Sequence, residues 1–252
     1  MKNTALCFLL GFLPLHAADE VRPLRVLCWN LHHGEGADGK IDLARIAKVI
    51  TDTKPDLVAL QEVDRNCRRS GKVDQTAELS KLTGMKGVFG KAMPYEGGEY
   101  GQAILSRFPV LTHQVHPLPG NAEPRIAFEA TIASAPNRTI RFISVHLGLE
   151  ENERIAQTTA IEKQFRDLTG AAILCGDFNA TSGSPPMRIL QPAWQEIPGG
   201  EKLLTEPADQ PKVGIDHFLT RNLARGGSVE VLPEAVASDH RPILAVLDGP
   251  SD

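Results

Sequence analysis

The chain has little of what would make it a membrane span, a disulfide scaffold or a polyanion-coating protein. Only 5% of its 252 residues are aromatic, and no aromatic or apolar insertion stands out as a membrane anchor. Beyond residue 17 no run approaches the roughly 20 apolar residues that cross a bilayer. Lys and Arg number 27 against 31 Asp and Glu, a formal net charge of −4. That excludes a general positive field for nucleic acid, though not a single basic groove. Cysteines number four, and no Cys/His cluster has zinc spacing. Setting aside Cys7, the odd remainder Cys28, Cys67 and Cys175 argues against a disulfide framework. Cys28 and Cys175 lie in apolar runs and read as small buried residues, close together if their strands are neighbours. There is no internal repeat, low-complexity tract or linker.

What is present is ordinary for a globular protein with a full core: 42% apolar and 23% charged residues. Residues 1–17 are set apart as a secretory signal peptide. Lys2 supplies the positive start, Ala5 to Leu15 the short apolar run, and Leu15-His16-Ala17 the cleavage-site pattern. An uncleaved anchor is the weaker alternative. Cys7 lies inside the run rather than at its end, which argues against a lipoprotein cysteine. The expectation is a secreted or periplasmic protein of one domain, residues 18–252, with no transmembrane segment once the leader is removed. Its oligomeric state is left open.

Short apolar runs alternate with helical patterns. Residues 24–30 read as a strand, 42–53 as an amphipathic helix and 57–62 as a second strand, a beginning typical of layered α/β domains. Residues 65–72 form a basic loop. A helix is expected over 75–82, a strand over 86–91 and a turn-rich loop over 94–98. Strands are expected over 101–105 and 110–115, then a hairpin over 126–133 and 139–145 with Pro136-Asn137 at its turn. The longest helical pattern covers 151–168, closed by Gly170. A buried strand follows at 171–176, a short helix opens at Ser184-Pro185-Pro186, and 191–213 reads as loop. Strands are expected over 215–219, 228–232 and 243–247.

Run after run stops at a metal-capable or proton-active residue: Asn30, Glu62, His146, Asp177 with Asn179, Asp216, and Asp239 with His240. Any one is unremarkable at a solvated strand end. Together they converge if the strands share a rim, which is how sites are built on rigid scaffolds. Carboxylates with amide oxygens suit Mg²⁺, with Mn²⁺ or Ca²⁺ as alternatives. Two histidines beside such a site suggest phosphoester hydrolysis, in which a metal polarises a phosphoryl oxygen and side chains handle the protons.

The segments WNLHHG (29–34), LQEVD (60–64), GQAILSRFP (101–109), EPR (123–125), VHL (145–147), GDFN (176–179), IDHFL (215–219) and SDHRP (238–242) resemble, in order, the endonuclease/exonuclease/phosphatase superfamily. That superfamily includes pancreatic deoxyribonuclease, abasic-site endonucleases, neutral sphingomyelinases and inositol polyphosphate phosphatases. The resemblance implies a four-layer α/β sandwich, two packed mixed β-sheets flanked by helices. It implies Glu62 as principal metal ligand, with Asn30 and Asp239 completing or flanking the site. Asp177 would position or deprotonate water, and Asn179 would orient it or the phosphate. His240, held by Asp216, and His146 would flank the phosphate. Asp177 and His240 share the role of base.

His32 stands where abasic-site nucleases carry an acidic residue, and Gln102 where Asn is usual. Both are assigned to the substrate side, with Arg125 and with Arg65 of the basic loop, whose Arg65, Arg68, Arg69 and Lys72 would grip a second phosphate or an anionic head group or else form a solvated loop. His217 is assigned to packing, Trp194 to packing under a loop, and His113 and His116 to the surface. The expected function is a secreted Mg²⁺-dependent phosphodiesterase for a small or lipid-like substrate. A metal-dependent nuclease, a sugar or inositol phosphate phosphatase and a catalytically silent binding protein are the alternatives; nucleic acid as a partner is not favoured.

Overall fold

A computed structural model of the chain describes residues 22–198, 203–223 and 226–248; the expected signal peptide at 1–17 lies outside them. The first half gives β1 (Leu24–Asn30), α1 (Leu43–Thr53), β2 (Leu57–Arg65), α2 (Gln75–Thr83), β3 (Lys86–Tyr95), β4 (Gly98–Ser106) and β5 (Val110–Pro117). The second gives β6 (Ile126–Ala135), β7 (Arg138–His146), α3 (Glu151–Phe165), β8 (Ala172–Asp177), α4 (Pro185–Leu190), β9 (Gln195–Glu196), β10 (Asp216–Arg221), β11 (Gly227–Val231) and β12 (Ile243–Leu247). Two six-stranded sheets result, ordered β11-β12-β1-β2-β4-β3 and β5-β6-β7-β8-β10-β9. Each holds one parallel pair, β1 with β2 and β7 with β8, among antiparallel neighbours. The parallel partners are joined through α1 and α3, as parallel strands require.

Side-chain alternation makes the layers. In β1, Leu24, Val26 and Cys28 face the other sheet, while Leu27 and Trp29 face the helical side. In β8, Ile173 and Cys175 face the first sheet, while Ala172 and Leu174 meet Ile161 and Phe165 of α3. One apolar core thus lies between the sheets and one under each helix layer, which is the expected four-layer α/β sandwich. Cys28 and Cys175 share the inter-sheet core as free thiols.

Local signals set the helix ends. Asp42 and Asp74 cap α1 and α2 by accepting the backbone N–H of Arg45 and Ala77, each at 2.9 Å. Gly84 ends α2 in the left-handed region at φ 69°. The long helix stops at Phe165 rather than at 168, because the Arg221 guanidinium takes the carbonyls of Phe165 and Arg166, both at 2.7 Å. Strand β3 runs on to Tyr95, paired with β4 across a shift between Lys91 and Met93, where the sequence suggested a loop from 94. The expected loop at 191–213 contains the short strand β9, paired with β10.

Candidate active site

The rows that face the inter-sheet core turn polar together at one end. Asn30 continues 24-26-28, His146 and Ser144 continue 140-142, and Asp177 continues 173-175. Asn30, His146 and Asp177 are the last residues of β1, β7 and β8, so they sit at the carboxyl ends of both parallel pairs, where open α/β sheets bind ligands. Asp216 opens β10 directly opposite Asp177 in the antiparallel register. Below them Gln61, Ser144 and Gln102 form a buried polar layer: Gln61 Nε2 donates to Ser144 Oγ at 2.9 Å, and Ser144 Oγ donates to Gln102 Oε1 at 2.5 Å.

By alternation Glu62 would point away from this end, since Gln61 points toward it. A bulge in the β2–β4 pairing between Leu60 and Val63, with Glu62 at φ 56°, redirects it. Strain of this kind, about 1 kcal/mol or more for a non-glycine residue, persists where the surroundings fix it. Glu62 Oε1 accepts Asn30 Nδ2 at 3.1 Å, and Asp177 Oδ2 accepts the same nitrogen at 3.0 Å. The Asn30 oxygen takes the His32 N–H at 3.0 Å. Asn30 therefore bridges two carboxylates with its amide nitrogen.

The SDHRP segment is pinned across the end of β1. Ser238 Oγ donates to Asn30 O at 2.7 Å, and Trp29 Nε1 donates to His240 O at 2.8 Å. His240 Nδ1 lies 2.9 Å from Asp216 Oδ2, which also accepts Thr205 Oγ1 at 2.5 Å. Burial disfavours the imidazolium, but Asp216, Asp177 and Asp239 outweigh it and raise the His240 pKa to about 10. His240 Nε2 then faces Asp177 Oδ2 at 3.7 Å as a donor. Burial, followed by the Asp216 charge, pushes Asp177 up to about 7.

His146 has the opposite fate. Its Nδ1 lies 2.7 Å from Arg125 Nη1, and both residues are buried. A guanidinium only donates, so Nδ1 accepts and the ring proton sits on Nε2. Burial, then the charges of Arg125 and His240, lowers the His146 pKa well below its ordinary value. His146 is thus a neutral donor whose Nε2 faces Asp177 Oδ2 at 3.6 Å and Glu62 Oε1 at 4.0 Å.

These groups open on a cleft of about 260 Å³. Glu62, His146, Asp177, Asn179, Asp239 and His240 line it together with Arg69, Met93, Tyr95, Tyr100, Glu123, Arg125, Leu149 and Glu206. Asn179, at φ 49°, donates its backbone N–H to Asp177 Oδ1 at 2.8 Å. For a metal, the donor set is hard oxygen. Burial and then the Asp239 charge raise the Glu62 pKa, so these two carboxylates crowd each other in a way a cation would relieve. Asp177, Asp216 and His240 also bring ligand atoms within 4.8 Å of one another, but His240 and Asp216 already bond each other. Glu62 with Asp239 is therefore the better fit for a divalent ion.

Two residues expected on the substrate side, Gln102 and Arg65, are placed elsewhere. Gln102 is 2% exposed and bonded to Ser144 and to Ile126 O, the latter at 3.0 Å; it braces the sheets and does not line the cleft. Arg65 is ion-paired with Glu99 and lies over the Phe89 ring, 4.5 Å from its centroid. Its neighbour Arg69 is the arginine of that loop that reaches the cleft. His32 stacks edge-on against His33 at 4.5 Å; its N–H is held by Asn30 and its charge acts on Glu62, so it lies beside the site. His116, assigned to the surface, is buried beneath α3 with Nε2 2.7 Å from Glu129 Oε2. His217 bridges Ala180 O and Glu196, at 2.8 and 2.9 Å, in keeping with packing. Reading residues singly missed Tyr95, Tyr100 and Glu206, while Arg69 was expected only as one of four cations in the basic loop. For Arg69 the signal was its place in the basic loop.

Two sheets carrying acid and histidine at their joined carboxyl ends define the deoxyribonuclease I-like class of α/β sandwich. Residues 27–240 match the model of the endonuclease/exonuclease/phosphatase family, and the chain belongs to that family. It is 24% identical over 241 residues to the Escherichia coli protein YbhP, covering 88% of this chain and 94% of that one. An endonuclease/exonuclease/phosphatase from Beutenbergia cavernae superposes with a TM-score of 0.71 at 22% identity, covering 91% of this chain and 72% of the other. A mannosyl-6-phosphatase from Bacteroides thetaiotaomicron has the same fold, with a TM-score of 0.69 at 16% identity over 88% of this chain and 98% of its own. Membership implies hydrolysis of phosphoester bonds.

Proposed function

We propose that this chain is a secreted or periplasmic, Mg²⁺-dependent phosphoesterase that hydrolyses a small polar phosphodiester. The observation that carries the reading is the meeting of Glu62, His146, Asp177 and His240 in one cleft. Near neutral pH Asp177 accepts the proton of an attacking water, which the amide group of Asn179 orients. The Nε2–H of neutral His146 and that of the His240 imidazolium donate to phosphoryl oxygens as charge builds on them. A divalent cation at Glu62 and Asp239 would polarise a phosphoryl oxygen when bound. Because His240 is held protonated by Asp216, the base falls to Asp177.

The cleft favours a small polar substrate over the lipid-like one. Its volume of about 260 Å³ lies just below the roughly 300–1,000 Å³ usual for ligand pockets. Its lining is mostly polar or aromatic, with Met93 and Leu149 as the aliphatic members. The sugar-phosphate alternative draws support from the shared fold of the mannosyl-6-phosphatase.

The test uses residues 18–252 with Mg²⁺ or EDTA on bis(4-nitrophenyl) phosphate, hexose 6-phosphates, sphingomyelin and supercoiled plasmid, with His240→Ala as control. Mg²⁺-dependent cleavage of the small esters that the variant loses supports the reading. Plasmid nicking as the one activity lost would make the protein a nuclease. Inertness toward every substrate would leave a silent binding protein.

A further inference from the structure

Arg69 is held more rigidly than a loop arginine has reason to be. Its Nε and Nη2 donate to both oxygens of Asp64, at 2.9 and 2.8 Å, and Asp64 is fully buried. The guanidinium lies over the rings of Tyr95 and Tyr100, 4.6 and 5.5 Å from their centroids. Its backbone N–H is fixed by Glu96 at 2.9 Å. Orientation this complete removes the rotamer entropy that usually weakens an arginine contact. One nitrogen is left over: Nη1 makes no hydrogen bond among the described residues, and neither does the Tyr100 hydroxyl. Both residues line the cleft. Arg69 is not among the charges that act on His146, where Arg125 and His240 are; Tyr100 adjoins the catalytic groups, since Glu62, Glu123 and Arg125 act on it ahead of Arg69.

We infer that Arg69 and Tyr100 form an anion subsite that reads a second charged group on the substrate, a phosphate or carboxylate beyond the phosphodiester that is cleaved. Resting on the proposed phosphoesterase activity, this narrows the substrate class to small diesters with a further anionic group. The unpaired Nη1 and hydroxyl are donors with no acceptor among the described residues, so the complementary ligand supplies one. The aromatic faces carry the scaffold between the two charges. Asp64 neutralises the rest of the guanidinium, so recognition is by directed hydrogen bonds and not by bulk charge.

The test is a matched series of 4-nitrophenyl phosphodiesters whose second arm ends in a phosphate, a carboxylate or a methyl group. Each is assayed with Mg²⁺ on wild type, Arg69→Gln, Arg69→Lys and Tyr100→Phe. Wild type should prefer the anionic arms by about tenfold or more in kcat/KM, the worth of one hydrogen bond to a charged group. That ratio should fall toward one in Arg69→Gln, chiefly through KM, and by a smaller factor in Tyr100→Phe. Arg69→Lys keeps a cation beside Asp64 and guards against misfolding; it should retain part of the preference. The phosphate and carboxylate arms separate the two sources of charge. An equal loss on all three arms would make Arg69 a structural strut and overturn the inference. A preference that survives Arg69→Gln overturns it too. No turnover of any arm by wild type would remove the phosphoesterase reading and the subsite together.

Discussion

Asp177→Asn should stabilise the metal-free protein while abolishing its activity. Asp177 is 2% exposed, and its pKa is raised from 3.8 to about 7 by burial and then by Asp216. A rise of about 3 units corresponds to about 4 kcal/mol of preference for the neutral form in the fold, at about 1.4 kcal/mol per unit. The sign follows from linkage. The folded pKa lies above the unfolded one, so the wild type bears no penalty below about pH 4. The penalty grows as pH rises and is complete above about 7. Asn stays neutral throughout, but its amide N–H groups meet the Asn30 amide nitrogen, which gives back part of the gain. The net gain at pH 8 is therefore about 2–4 kcal/mol, or about 5–10 °C in Tm for a chain of this size. The assay is thermal and urea unfolding with EDTA from pH 4 to 9. The quantity to follow is the difference between variant and wild type, in which groups common to both cancel. It should climb between pH 4 and 7 and then level off. A difference that is flat over that range, or a variant less stable than wild type at pH 8, would refute the account of Asp177 as a strained base. Saturating Mg²⁺ should shrink the gap, because a bound cation offsets the crowded charge.

Mg²⁺ at a hundred times its Kd should stabilise wild type by about 2.7 kcal/mol, and Glu62→Gln should lose most of that shift in a melting titration. Gln102→Leu should cost about 1–3 kcal/mol by unpairing Ser144 Oγ and Ile126 O, with KM unchanged for the folded fraction; a raised KM would return Gln102 to the substrate side. Gly176→Ala should fail to fold or lose at least 10 °C in Tm by about the same stability scale. A Cβ there would lie 1.9 Å from Val145 O at φ 153°, in the parallel β7–β8 pairing.

The strand framework was legible because period-2 alternation is strong where both faces of a sheet are buried. In the rows 24-26-28-30 and 173-175-177 the alternation by itself shows the core turning polar. Other features were not legible. Glu62 ends a plausible strand on paper, yet β2 runs through it to Arg65, and only a bulge swings its carboxylate inward. The choice between Arg65 and Arg69 depended on which carboxylate each met, Glu99 or the buried Asp64, and sequence distance does not encode that. His116 looked exposed because its partner Glu129, itself paired with Arg141 of β7, comes from the neighbouring strand β6. Gln102 was misassigned because a polar residue near a site motif is as suited to bracing two sheets as to touching a ligand.

The division of the site between the sheets has a mechanical consequence. One sheet supplies Asn30 and Glu62, and the other supplies His146, Asp177 and Asp216. Apolar surfaces resist separation far better than they resist sliding, since dispersion contacts carry little direction. The Gln61–Ser144–Gln102 bonds do carry direction, and they cross the interface just beneath the cleft. A small shear of one sheet over the other would open the 3.0 Å contact between Asn30 and Asp177 before it exposed any core. Catalytic rate should therefore decay ahead of global unfolding under heat or denaturant, and the distance between those two transitions would measure how firmly the polar layer holds the halves in register.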